Sequence, residues 1–194
     1  MTNQNNTTGP NGGIPSYNGG SYPDNLTTNG VFQVKSAPGS FTGLSINTAG
    51  TTSTATLYDG LSSTVTITIA SPGVVTWPKH GLPAGAAVIF ETSSGGALPT
   101  GLTAGTPYYV AQDANLTLNT FDVSDTKAHA LAGTNQVNTS GSQSGTQTAY
   151  NVSTKLGGFS TTAQNAVPLG IAFFEGLIAI TAGGAAADIT VLFV

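Results

Sequence analysis

The run TATLYDGLSSTVTITIA, residues 54–70, decides how the chain is to be read. Its second half alternates without a break, with Val65, Ile67 and Ile69 on one side of an extended backbone and Thr64, Thr66 and Thr68 on the other. Successive side chains of a strand point to opposite faces, so this pattern predicts a strand with one buried face. Its first half is another short extended run and closes on Asp59-Gly60, a tight-turn signal.

The same texture extends both ways. VFQVKS and TGLSIN precede it, and GVVTW, AAVIFET, PYYVAQ and NTFDVS follow, parted by Gly, Pro, Asn and Asp at short intervals. Short strands with turn residues between them are the signature of a sandwich or barrel. After a polar run at residues 134–148, the segments YNVSTKL, GIAFFEG, LIAITAG and ADITVLFV return to apolar strands. In the last of these Ile189, Val191 and Phe193 face one side, while Leu192 and Val194 face the other. A strand apolar on both faces needs cover on both: either it lies mid-sheet, or a second subunit covers it, which makes Leu192 and Val194 candidate subunit-interface residues.

Composition supports the all-β reading. The chain has 194 residues, of which 6% are charged, and contains no arginine. An ordinary domain carries about a quarter charged residues. Gly, Thr, Ser, Asn and Ala take their place and favour turns and strands over helices. A net charge of -4 repels a phosphate backbone and excludes DNA and RNA as direct partners. With 0 cysteines there is neither a disulfide framework nor a thiolate metal site. The most apolar stretch, residues 166–180, is broken by Pro168 and Glu175 and reads as buried strands, so a soluble chain without a membrane span or secretion signal is expected.

Residues 1–30 hold too few apolar groups to build a core. Ile14, Tyr17, Tyr22, Pro23 and Leu26 are spaced along them like anchors, so the segment reads as an extended arm that orders on a partner surface.

A search for chemistry finds few convergent groups. Any nucleophilic site would need His80 or His129 as base, and no GxSxG elbow is present; residues 141–145 read GSQSG, with Gln143 at the centre. Ser124, Asp125 and His129 are close in sequence, as chance allows in a serine-rich chain. Glu175, inside AFFEGL, suits a strand-end turn better than a buried catalytic acid. Asp113, Asp122 and Asp125 would meet around a cation only if their loops converged. The reading is of no catalytic residue, no metal and no cofactor. Trp77 and Tyr109 are the possible surface aromatics for stacking on a sugar, with adjacent Tyr108 and Tyr109 on opposite faces of one strand. In TWPKHGLPAG, residues 76–85, the prolines and glycines suit a reversal, and His80 is expected to bond its own loop.

Residues 74–126, VVTWPKHGLPAGAAVIFETSSGGALPTGLTAGTPYYVAQDANLTLNTFDVSDT, followed by NTSGSQSGTQT, resemble a small β module recurring in structural proteins of tailed bacteriophages. The shared order is a His-Gly-Leu turn, a Leu-Pro-Thr-Gly-Leu linker, a Tyr-Tyr-Val strand and a Thr-Phe strand. The flanks, VKSAPGSFTGLSINTAGTTSTATLYDG and LIAITAGGAAADITVLFV, resemble a short phage virion domain in which the connection after Leu-Tyr-Asp-Gly is brief. The resemblance implies an all-β chain: a small antiparallel sandwich or barrel domain formed by residues 31–62 and 151–194, a second β lobe at 63–150 inserted in it, and the arm at 1–30. It also implies a structural role, foremost a decoration or cement protein on the outer surface of the head. The expected partners are the major capsid protein and further copies of the chain, as a homotrimer. The alternatives are a neck, tail or fibre component, or a carbohydrate-binding adhesin.

Overall fold

Alternating Thr and β-branched residues, punctuated by Gly and Pro, fold into fourteen strands and one short helix in the computed structural model, which describes residues 22–194. The chain begins with β1 (Tyr22–Leu26), β2 (Gly30–Lys35), β3 (Gly39–Thr48) and β4 (Thr54–Asp59). It continues with β5 (Ser62–Ile67), β6 (Val74–Thr76), β7 (Ala87–Thr92), β8 (Pro107–Val110) and β9 (Thr120–Ser124), then helix α1 (Lys127–Ala132) and β10 (Gln147–Asn151). It closes with β11 (Thr154–Ser160), β12 (Asn165–Phe173), β13 (Leu177–Ala182) and β14 (Asp188–Phe193). The chain is all-β and forms two units, one from the segments up to Asp59 and from Thr154 onward, the other from Gly60 to Ser153.

In the first unit successive strands change sheet at every step but one, from β4 to β11, which pair side by side in the same sheet. One sheet has the order β1-β14-β3-β12 and the other β11-β4-β13-β2, all pairs antiparallel. Two four-stranded sheets wound this way form a jelly roll. Between them lie Phe41, Leu44, Leu57, Phe173, Leu177, Ile189 and Val191, none more than 1% exposed. The alternation read in 187–194 is what delivers Ile189, Val191 and Phe193 to this core.

Two expectations change here. Residues 1–30 do not form one continuous arm, because β1 pairs over its whole length with β14, from Tyr22 opposite Phe193 to Leu26 opposite Ile189. Leu26 is 2% exposed and belongs to the sandwich core, so it does not serve as a partner anchor. Tyr22 and Pro23 lie in the same strand, with Pro23 opposite Leu192; Ile14 and Tyr17 lie outside the described residues. The physical reason is the sheet edge: without β1, β14 would present an open row of backbone groups and Leu26 would leave a void. Second, β14 sits between β1 and β3, so its two-faced apolarity has a mid-sheet explanation and does not require another subunit.

The second unit is a closed six-stranded barrel, β10-β5-β6-β9-β8-β7. Its interior is filled by Val65, Ile67, Val75, Trp77, Val88, Phe90, Tyr108, Val110, Phe121 and Val123, as in other small barrels whose lumen is a core. β5 starts at Ser62 and pairs with β10 through Tyr150, so residues 60–62 and 151–153 belong with the barrel. β5 stops at Ile67, which leaves Ile69 exposed instead of buried as its alternation had predicted.

The barrel's two ends are drawn together at Gly60, where a Cβ would lie 2.1 Å from the Asn151 carbonyl oxygen. Only glycine admits that approach. The Asp-Gly pair read as a turn is thus the junction at which the chain leaves one unit for the other. The helix, which no strand pattern foretold, has Thr126 as N-cap, its hydroxyl accepting from the His129 N–H, and ends at Gly133.

Candidate functional site

Asp59, the last residue of β4, is buried, and its carboxylate accepts the backbone N–H groups of Phe174, Glu175 and Gly176 at 2.8, 2.8 and 3.3 Å. Three donors converging on one carboxylate fix the β12–β13 turn. The turn buries Phe173 and holds Phe174 outward, 77% exposed. Glu175 is also exposed, consistent with a turn and not with a buried catalytic acid.

Around this turn lie the other features of one pole of the sandwich. Val194, 43% exposed, exchanges backbone hydrogen bonds with Ser40 at 2.9 and 3.0 Å. Lys35 places its ammonium 5.8 Å from the Phe173 ring centroid and 5.7 Å from that of Phe193, a cation–π arrangement. Tyr22 is opposite Phe193, so β1 also begins at this pole. Among the described residues, Phe174 and Val194 are the exposed large hydrophobics of the sandwich, and both are here.

The opposite pole is built differently. Ser53 and Thr161 bond to each other, the Thr161 hydroxyl donating at 2.7 Å, and Thr51 and Ala185 are joined through the Thr51 N–H at 3.1 Å. Asn29 donates to the Gly183 carbonyl. Small polar residues tie these loops together and display no large apolar side chain. Leu192, on the outer face of its sheet, is only half-buried.

In the barrel unit Trp77 is 7% exposed and part of the core, so it is not a surface aromatic. Two residues on from Val75, the indole falls on the same inward side of the chain. Tyr109 is half-buried, and Tyr108 is buried, with its hydroxyl accepting from the Thr103 N–H at 3.0 Å. Along β5 and β10 runs a groove of about 370 Å³ bordered by Thr64, Thr66, Gln143, Thr146 and Gln147, with no ring and no charge in its lining. The His80 Nδ1 accepts from the Leu82 N–H at 2.9 Å, a bond within its own loop, and its ring meets Phe121 edge-on at 5.0 Å.

Ser124, Asp125 and His129 do not form a catalytic set. The Ser124 hydroxyl is buried and donates to the Thr134 carbonyl at 2.8 Å, while His129 Nδ1 pairs with Asp125 at 2.6 Å on the exposed side. That hydrogen bond holds the Asp125 carboxyl below its ordinary range. Asp113 and Asp122 do meet, but Asp125 is taken by His129, and no group of three such ligands occurs among the described residues.

Phe174 was missed in the sequence although a signal was present: in AFFEG, two adjacent rings on a strand point to opposite faces, so one must leave the core. No helix among the described residues is long and apolar enough to cross a membrane. No protein-family model, curated protein or solved structure matches this chain.

Proposed function

We propose that this chain is a structural protein of a tailed-phage virion, a decoration protein that docks on the outer coat surface through the pole of its jelly roll that carries Phe174 and Val194. The observation that carries the reading is the placement of both exposed large hydrophobics of the sandwich at the pole where β1 begins. The chain enters the sandwich at this pole through β1, and in this reading the pole and the residues before Tyr22 form one footprint on the coat.

The jelly roll supports the reading by analogy of fold, since it recurs in viral capsid and lectin domains. The resemblance of residues 74–126 to a phage structural module supports it independently. The mechanism is mechanical. Phe174 is held in place by Asp59 before any partner arrives, so little ordering opposes its burial. Burying one such ring contributes about 1.5–3 kcal/mol, and a trimer multiplies weak contacts by avidity. In this reading the trimer packs on the coat with Val194 near its contacts.

The test is reattachment. Particles stripped of the protein are mixed with native chain or with Phe174→Asp. Native chain should rebind, and Phe174→Asp should remain in the supernatant while keeping its fold. Full rebinding by the variant would rule the pole out. The lectin reading loses its main group with Trp77 inside the barrel core.

A further inference from the structure

Asp122 is 0% exposed, on the outer side of β9, since its neighbours Phe121 and Val123 fill the barrel. Its Oδ2 accepts from the Asn115 side-chain amide at 2.8 Å, while its Oδ1 is buried without a partner. Asp113 lies against it. The Asp113 Oδ1 accepts from the Asn115 N–H at 2.9 Å, and its Oδ2 accepts from the Gln136 amide at 3.3 Å. Two carboxylates thus sit inside a ring of amides that can donate to them but cannot neutralise them.

Among the described residues no cation is placed to relieve the pair. β6 (Val74–Thr76) brings no ionisable group, and β8 brings Tyr108 and Tyr109. On α1, His129 is engaged by Asp125, and the Lys127 stem lies against Gly85. Like charges this close cannot both ionise at low cost in a buried setting. A carboxylic acid, in contrast, has an O–H to donate, and the Oδ1 of Asp122 meets no donor that would compete for the place of that proton.

We propose that buried Asp122 holds a proton beside Asp113, and that this proton clamps the 111–119 loop onto β9, so that the loop tightens in acid and loosens towards neutrality. Burial, followed by the nearby Asp113 charge and the hydrogen bond to it, pushes the Asp122 carboxyl up to about 6, against the lowering bond from Asn115. Folded Asp122 binds its proton more tightly than the unfolded chain does. Its contribution to stability is therefore complete below the ordinary carboxylate range, near 3.8, and is lost as pH rises through about 6.

The test is a carbon-13 NMR titration of the full chain with labelled aspartate. Asp122 should titrate near 6, and an Asp122 midpoint near 4 would overturn the proposal. A second measurement uses Asp122→Asn, which keeps the shape of the protonated acid. Hydrogen exchange of the Asn115, Leu116 and Thr117 amides should show loop opening that rises by up to about thirtyfold from about pH 4.5 to about pH 7.5 in the native chain, and stays flat in the variant. Equal pH dependence in both would also overturn it.

Discussion

Asp59 accepts the N–H groups of Phe174, Glu175 and Gly176, and removing its carboxylate strands all three. Unmade bonds of this kind cost about 1–3 kcal/mol each when buried, less where water reaches the donor. Asp59→Ala is therefore expected to lower the stability of the sandwich by about 2–4 kcal/mol in chemical denaturation, and to weaken particle attachment because Phe174 is no longer held. Trp77→Ala should cost the barrel about 3–5 kcal/mol as a core truncation, with glycan binding unaffected. Loss of a specific glycan signal without loss of stability would revive the adhesin. The sequence showed Asp59 as a turn residue, but its three donors lie more than a hundred positions away along the chain. Partners that distant are set by topology, which local pattern does not carry. Phe174 was accessible from the FF pair, whereas the Asp113–Asp122 meeting needed the fold of the 111–119 loop.

At the level of elements, β1 is the instructive strand. YPDNL has neither alternation nor β-branched residues, and it is a strand only because β14 offers it a partner. This sets two truncations apart. Removing residues 1–21 should leave the denaturation midpoint of the sandwich unchanged while particle attachment falls. Removing 1–30 also strips β1 and the core group Leu26, whose loss alone is worth about 2–5 kcal/mol, and should unfold or aggregate the unit. Equal midpoints for both truncations would contradict the assignment of β1. Strands whose alternation feeds a core, such as β14 and β5, were legible in the sequence. Helix α1 was not, because a composition poor in helix formers masked a local run of Lys, Ala and Leu between Thr126 and Gly133, a sound N-cap and C-terminal glycine.

For the whole molecule, the sequence carried the all-β class and the change of texture at the two boundaries. The winding order of the eight sandwich strands came only with the structure, because pairings such as β14 with β3 join segments at opposite ends of the chain. In the proposed reading the order matters because it gathers the start of β1, the exposed end of β14 and the Phe174 turn at one pole and leaves the other pole small and polar. A surface of that kind, on a chain with so few charges, suits a partner met many times over on a repeating lattice. The most direct test is the number of copies of this chain per purified virion, measured by quantitative mass spectrometry against the coat protein. A decoration protein predicts a copy number in fixed proportion to the coat subunits; absence from the virion, or only a single ring's worth of copies, would contradict the account.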